Sequence, residues 1–379
     1  MMNKKTQMKI RVTLTSLLLF AVFLFGCDTS IEEENTVLEN DLSDKFEITL
    51  EKQREFVISG TEQLQLDDVY KLIEFNDSDT RIAWINNIQN KIFITDTLGN
   101  VQTSFGGEGS GPEEFRHISA FGFDDADNLI VYDWNQDLIK TFDESGKLIS
   151  DSQGLLEDGL WIRSNRLVYN DESLMFGIQE SEADGDNIWE SATVAEYGKD
   201  GSLNEVYGSF GADLIQKDLF YNLTRITGHP SNDWVFVTYR TYHGTDVMSL
   251  GEQQVAQRFG VQPENFSYSE EQVEMNDSRE ERNEKNLAQS FVGDSYYSDQ
   301  FYYFYFFNFT EEFWDTREPN TRENFLAVYD HSEPFNYYGD IKLPYAPRGI
   351  TGNGDIYVVE NPDPDNFTVG VYRLKVMEI

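Results

Sequence analysis

The spacing of short apolar strands along this chain predicts an all-β fold, a six-bladed β-propeller. One phrase, a turn residue followed by a β-branched and aromatic run that ends on Asp, occurs at Asn90–Asp96 and again at Asp127–Asp133. Weaker copies lie at residues 166–170, 233–239, 300–305 and 355–360. Repeats of about 40 residues with several strands each are typical of propellers, so six copies predict six blades.

Turn and helix signals agree with this fold. Gly146 and Gly201 lie in hairpin signals between predicted strands, where glycine supplies the positive φ that such turns require. The first helix signal is the capping box Ser269–Gln272, which predicts a charged surface helix reaching Gln289. The predicted helix lies in an insertion at about residues 260–290. An alternative to a plain surface helix is a lid over the channel mouth.

The last repeat predicts how the ring closes. It offers three strands, at residues 347–351, 355–360 and 368–377, although a blade needs four. Val69–Phe75 has no strand to pair with before the first blade, which itself looks one strand short. We therefore expect Val69–Phe75 to complete the last blade and remove its exposed edge.

The N-terminus has the features of a bacterial lipoprotein signal. A basic segment precedes the apolar run Val12–Phe25, which is too short for a bilayer span of about 20 residues. Small Gly26 then precedes Cys27, the chain's single cysteine, which predicts a signal peptide over residues 1–26 and lipid attachment at Cys27. The acidic composition of residues 27–45 predicts a disordered tether, and residues 46–379 are predicted to form the propeller.

The charge of the chain restricts its partners. It carries 68 acidic against 29 basic residues, a formal net charge of −39. Nucleic acid binding needs clustered Lys and Arg, so we expect no nucleic acid partner. The membrane, reached through the lipid, is the predicted partner, with an anionic small molecule, a glycan or a protein as further candidates.

A family resemblance follows from one segment. Gly106–Phe115 reads GGEGSGPEEF and is followed by Phe121–Asp124 and then the phrase at Asp127. This order of a Gly-rich turn, an inner strand and a strand closing on Asp resembles the six-bladed, NHL-like propeller lipoproteins of Bacteroidetes. The resemblance covers residues 64–150. It implies the fold and an envelope location, with the outer membrane or cell surface favoured over the inner membrane, rather than an activity.

Most motifs that suggest chemistry have a simpler structural explanation. The Gly-rich run lacks the Lys-Ser/Thr of a phosphate loop, and the acidic clusters Asp124–Asn128 and Asp184–Asn187 lack calcium-loop spacing, which favours turns. Phe301–Phe309 suits a buried strand better than a sugar-stacking platform. No short ligand spacing links the histidines, so we predict neither metal nor cofactor; they are His117, His229, His243 and His331.

Arginines at the predicted starts of innermost strands form the remaining candidate site. They are Arg81, Arg116, Arg225 and Arg348, with His117 beside Arg116. Innermost strands line a propeller's channel, so these guanidinium groups would converge and grip a carboxylate or phosphate in bidentate fashion. The alternative is that each arginine pairs with an aspartate of the next blade and only holds the ring together.

These observations favour a non-catalytic module that binds a ligand or a protein, with an anionic ligand at the channel mouth as one form of it. A channel enzyme of lactonase or lyase type with a divalent metal is an alternative, resting on analogy of fold alone. A structural subunit of an outer-membrane uptake or secretion complex is another.

The lipid anchor is directly testable. Cys27→Ala removes the nucleophile that would receive the lipid, so we expect the protein to leave the membrane fraction or to persist as an uncleaved precursor. Membrane fractionation and intact mass measure this. A cleaved Cys27→Ala protein retained on membranes as well as the wild type would contradict the anchor.

Overall fold

The computed structural model describes residues 37–59, 73–170, 173–180, 191–209, 224–228, 234–250, 254–269, 271, 273, 277–316, 321–363 and 367–379. Cys27, the signal peptide, the cluster Asp184–Asn187 and His229 lie outside these residues. The described strands form six antiparallel four-stranded blades, two of which are joined into one sheet by a single parallel pair between Phe121 and Arg166. The predicted six-bladed propeller is confirmed.

The first three blades follow one another along the chain, each starting with its innermost strand. Blade one consists of β3 (Glu74–Phe75), β4 (Arg81–Asn86), β5 (Lys91–Asp96) and β6 (Val101–Gly106). Blade two consists of β7 (Ile118–Phe123), β8 (Leu129–Asp133), β9 (Leu138–Phe142) and β10 (Leu148–Gln153). Blade three consists of β11 (Leu160–Asn170), β12 (Ser173–Glu180), β13 (Val194–Gly198) and β14 (Leu203–Tyr207).

The remaining blades include two N-terminal strands. Blade four consists of β15 (Thr224–Gly228), β16 (Trp234–Tyr239), β17 (Tyr242–Ser249) and β18 (Gln254–Phe259), with β1 (Val37–Leu38) added outside β18 in parallel. Blade five consists of β19 (Ser290–Tyr297), β20 (Phe301–Asn308), β21 (Glu323–Asp330) and β22 (Tyr337–Leu343). Blade six consists of β23 (Pro347–Ile350), β24 (Asp355–Asn361), β25 (Phe367–Glu378) and β2 (Phe46–Ile58).

The ring closes through β2, so the predicted closing strand is wrong. β2 pairs antiparallel with β25 along nearly its whole length and forms the outer edge of blade six. Glu74 and Phe75, the end of the segment expected to close the ring, instead form the innermost strand of blade one. β3 is therefore the strand that blade one lacks in the prediction from sequence. The sequence predicts a strand here but assigns it to the wrong blade; its described part is Glu74–Phe75, and residues 69–72 lie outside the described residues.

The repeated phrase does not mark the same strand in every blade. It is the second strand of blades two, four, five and six, but the third strand of blade one. In both places the strand is buried on both faces, so the two positions demand the same apolar run. Positive φ at Asn90 and Asp127 explains why a turn residue opens the phrase, since Asn and Asp tolerate the left-handed region.

Two short α-helices occur among the described residues. Helix α1 (Arg279–Leu287) lies in the expected insertion, but Ser278 and Glu281 form its capping box, so the predicted start at Ser269 is wrong. Helix α2 (Glu311–Thr316) joins β20 to β21 and was not predicted. Neither described helix is long and apolar enough to cross a membrane.

The segment before the propeller is paired where it is described. Val37 and Leu38 form β1, the Leu42 amide donates to the Tyr337 carbonyl, and residues 43–45 make a 3-10 turn into β2. The sequence predicts a disordered tether up to residue 45, but residues 37–45 are ordered by these contacts.

The core lies between the blades. Each of six apolar clusters among the described residues combines side chains of two neighbouring blades. Between blades four and five, for example, Phe236 packs on Tyr302 with ring centroids 4.7 Å apart. β20 is buried from Tyr302 to Phe307, which confirms a core strand rather than an exposed aromatic platform.

Closure predicts a stability difference between two shortened chains. A chain beginning at Gly60 lacks β2 and exposes the edge of β25, so we expect its Tm to fall by about 10 °C or more. A chain beginning at Phe46 keeps β2 and should melt within a few degrees of one beginning at Val37. Thermal unfolding followed by circular dichroism compares the three, and equal melting of all of them would contradict closure by β2.

Candidate functional site

The innermost strand is the first strand of each blade, so the channel has one mouth where these strands begin and another where they end. Four arginines line a cavity of about 230 Å³ at the mouth where innermost strands begin: Arg225, Arg240, Arg322 and Arg348. We call it the arginine cavity. Five carboxylates line a cavity of about 490 Å³ where these strands end: Glu74, Asp77, Asp79, Asp125 and Asp299. We call it the acidic cavity.

Blade topology determines which turn reaches which mouth. Strands alternate in direction, so the start of an innermost strand and the turn between the second and third strands lie at the same mouth. Arg225 and Arg348 lie near the starts of β15 and β23, whereas Arg240 and Arg322 lie between second and third strands. The acidic residues Asp77 and Asp79 lie instead in a turn between first and second strands, which reaches the other mouth.

Arg225 is held by the backbone. Its Nη1 donates to the carbonyl oxygens of Arg163 and, at 3.0 Å, of Thr224, and its Nε donates to Gly293 O at 3.3 Å. Carbonyls carry no net charge, so these bonds orient the cation without neutralising it. Burial lowers the pKa of Arg225, against the attraction of the Asp294 carboxylate.

Aromatic rings position two of the other arginines. The Arg322 guanidinium lies 4.3 Å from the centroid of Phe307 and 5.5 Å from that of Phe313, which belongs to α2. The Arg240 guanidinium lies 5.4 Å from the centroid of Phe291. Cation–π contacts of this kind favour particular orientations of the guanidinium group. The arginine cavity therefore has a cationic lining on an aromatic support.

An ion network lies between the two mouths. Arg166 of β11 contacts the carboxylate of Glu74, and its Nη1 lies 3.6 Å from Asp294 Oδ2 and donates to Ser295 O at 3.0 Å. Burial raises the pKa of Glu74 to about 7; Arg166 opposes this shift and the negative charge of Asp294 adds to it. Burial also raises the pKa of Asp294. One guanidinium thus contacts two carboxylates, the buried Asp294 and the partly buried Glu74.

A third cavity adjoins the arginine cavity. It has a volume of about 310 Å³ and is lined by His117, Ser119, Trp134, Ile162, Arg163, Ser164, Asn165 and Arg225. We call it the tryptophan cavity. Arg225 and Asn165 line both cavities, so the two share a wall.

The structure separates the predicted arginines. Arg225 and Arg348 line the arginine cavity together, and His117 lines the adjoining one. Arg116 is exposed and its Nε donates to Ser110 Oγ at 2.7 Å. Arg81 starts the second strand of blade one rather than the innermost, so it lies towards the acidic mouth, where its Nη1 donates to Asp127 O at 3.0 Å.

Sequence reasoning missed Arg166, Arg240 and Arg322. Arg166 lies in the middle of β11, inside a copy of the phrase, and not at a strand start. Arg240 and Arg322 lie at turns between second and third strands, and the rule that such turns share a mouth with innermost starts would have found them.

The acidic cavity has strongly interacting carboxylates. Burial raises the pKa of Asp77 and of Asp79, and nearby aspartates add to both shifts. Asp124 Oδ1 accepts hydrogen bonds from the amides of Ala126 and Asn128, which confirms the hairpin turn expected there. Within the described part of the chain, no group of three or more His, Cys, Asp or Glu side chains is arranged to hold a metal ion.

Comparison with known proteins agrees with the fold. Residues 32–338 match the model of a family described as "6-bladed beta-propeller", DUF5128. No curated protein matches the sequence.

Solved structures share the architecture at low identity. A DUF4221 family member from Bacteroides vulgatus is 12% identical with a TM-score of 0.64, covering 89% of this chain and 100% of its own. A protein from Bacteroides fragilis described as exported is 10% identical with a TM-score of 0.55, covering 90% and 100%. The PQQ-bound aldose sugar dehydrogenase of Streptomyces coelicolor is 9% identical with a TM-score of 0.50, covering 87% and 99%. At these identities the likeness shows the fold alone.

The raised pKa of Glu74 predicts how stability depends on pH. Its pKa rises from 4.5 to about 7 on folding, so the folded state binds more protons between these values. The free energy of unfolding should therefore fall as pH increases from 5 to 8, by roughly 1–3 kcal/mol from this group.

Glu74→Gln removes that contribution and should flatten the slope. Some dependence of stability on pH remains, because folding also raises the pKa values of Asp77, Asp79 and Asp294. Urea unfolding at each pH measures the slope, and the exposed control Glu39→Gln should keep the wild-type value. An unchanged slope in Glu74→Gln would contradict the prediction.

Proposed function

Because the chain belongs to the DUF5128 family of 6-bladed β-propellers, we propose that it is a non-catalytic binding module of the cell envelope. In this proposal the arginine cavity binds an anionic group of the ligand, and the lipid on Cys27 holds the propeller at the membrane. The anionic ligand distinguishes this role from that of a purely structural subunit.

The concentration of arginines in the lining of the arginine cavity is the observation that carries the proposal. Four guanidinium groups line it, and Asp294 is the one carboxylate among the described residues of its lining. Asp294 is already within 3.6 Å of Arg166, so its charge is shared with a fifth arginine. An anion in the cavity would accept charge-assisted hydrogen bonds from guanidinium N–H groups of this lining.

The same chemistry favours binding over metal-dependent catalysis at this mouth. A divalent metal in a propeller channel needs several carboxylate, amide or imidazole ligands that converge on it. Guanidinium groups carry positive charge and have no acceptor atom, so they repel a metal ion instead of coordinating it. The cavity thus has the composition of an anion site.

Two observations support an envelope location. The segment from Lys4 to Cys27 has the basic, apolar and small-residue order of a lipoprotein signal. The structurally similar Bacteroides fragilis protein is described as exported.

The anion site is tested by the double variant Arg322→Met with Arg348→Met. Arg225 is left intact because its hydrogen bonds hold the backbone of two blades. We expect calorimetry at low salt to show binding of inorganic sulfate and of glucuronate to the wild type. The double variant should bind at least about 100-fold more weakly, since each charge-assisted contact contributes roughly 1.5–3 kcal/mol.

A matched control removes two arginines elsewhere. Arg81→Met with Arg373→Met lowers the net charge by the same amount away from the arginine cavity. This control should bind both anions as the wild type does. Equal losses in the two double variants would indicate a general charge effect, and absence of binding to the wild type would overturn the proposal.

A further inference from the structure

The tryptophan cavity has the chemistry of a sugar site. The indole of Trp134 is half-buried, packs edge-to-face with Tyr132 at 6.4 Å, and its residue is anchored by an amide hydrogen bond of 2.9 Å to His117 O. Ser119 and Asn165 add short polar side chains to the same lining. A pyranose ring presents C–H faces that pack on an aromatic ring and hydroxyls at its rim that need such polar groups.

The adjoining cavities suggest a ligand of at least two units. Each is at or below the lower end of the roughly 300–1,000 Å³ found for small-molecule pockets, so each suits one ring or one charged group. Arg225 and Asn165 line both, so the two cavities lie side by side, and a ligand occupying both would pass these two residues. The arginine cavity is lined by four cations, and the tryptophan cavity combines the indole with Ser, Asn and His side chains and with Arg163 and Arg225.

The net charge of the protein restricts the length of an acidic ligand. At −39 the molecule as a whole repels polyanions, and only the local field of the arginine cavity attracts them. A long chain with a charge on every unit would extend over the acidic surface. A short ligand with its acid at one end and a neutral ring beside it avoids that repulsion.

We infer that the ligand is an acidic oligosaccharide, with the carboxylate of its terminal sugar in the arginine cavity and the neighbouring neutral sugar against Trp134 in the tryptophan cavity. The inference rests on the proposed function and adds the ligand class and a second subsite. It makes Trp134 a specificity residue, which discriminates an oligosaccharide from a simple anion.

The test compares short acidic oligosaccharides with the acidic monosaccharides that they contain. The probes are 3′-sialyllactose against N-acetylneuraminate, and an aldobiouronic acid (a uronic acid linked to a neutral sugar) against glucuronate. We expect the wild type to bind at least one oligosaccharide about tenfold more tightly than its monosaccharide in calorimetry, a gain of about 1.4 kcal/mol. Trp134→Ala should abolish this gain and leave monosaccharide and sulfate affinity unchanged.

Two further variants exclude a loss of folding. Trp134→Phe keeps an aromatic ring and should retain part of the gain. Trp234→Ala removes a half-buried tryptophan at the start of β16, towards the acidic mouth, and should retain all of it. Thermal unfolding of each variant establishes that it is folded at the temperature of the measurement.

The outcomes separate the two proposals. Equal affinity of the wild type for both oligosaccharides and their monosaccharides, or a gain that survives Trp134→Ala, overturns the inference while the anion site stands. A second contrary outcome concerns peptides. If no oligosaccharide binds more tightly than its monosaccharide, but a dipeptide with a C-terminal tryptophan binds more tightly than acetate, the inference is overturned in favour of a peptide ligand. Failure of the wild type to bind sulfate or any acidic monosaccharide defeats the proposed function itself.

Discussion

The contact of Arg166 with Glu74 and Asp294 joins three alternate blades at the channel axis. Glu74 belongs to blade one, Arg166 to blade three and Asp294 to blade five, and all three lie on innermost strands. Removing one member of a buried ion network leaves a charge unpaired in a poorly solvated place, at a cost of several kcal/mol. The network therefore constrains the register of the three strands and, through them, the positions of the residues at either mouth.

The separation of charge along the channel follows from this constraint and from blade topology. Arg166 lines the acidic cavity and Asp294 lines the arginine cavity, so each mouth contains one member of the opposite sign. The turns then add residues of a single sign of charge at each mouth: arginines at the arginine cavity and aspartates at the acidic cavity. A molecule that is strongly acidic overall thus maintains one locally cationic recess, because the arginines are concentrated where second-to-third turns and innermost starts meet.

The difference between expectation and structure is clearest in blade one. The repeat predicts Arg81 on an innermost strand only if the phrases at Asn90–Asp96 and Asp127–Asp133 occupy the same position in their blades, but the first is a third strand and the second a second strand. Both are buried on both faces, and burial alone does not encode the position of a strand within its blade. Neighbouring strands of an antiparallel sheet run in opposite directions. Assigning Arg81 to the neighbouring strand therefore predicts the wrong mouth of the channel for it.

The sequence by itself determined the all-β class, the number of blades, the turn positions and two of the four cavity arginines, because apolar periodicity and turn residues are local properties of the chain. Tertiary structure decided which strand closes the ring, which mouth each arginine reaches, and that Glu74, Arg166 and Asp294 meet. These residues are separated by 92 and 128 positions, and no local pattern records a contact between them. They meet because six inter-blade cores, each built from two neighbouring blades, bring all innermost strands around one axis.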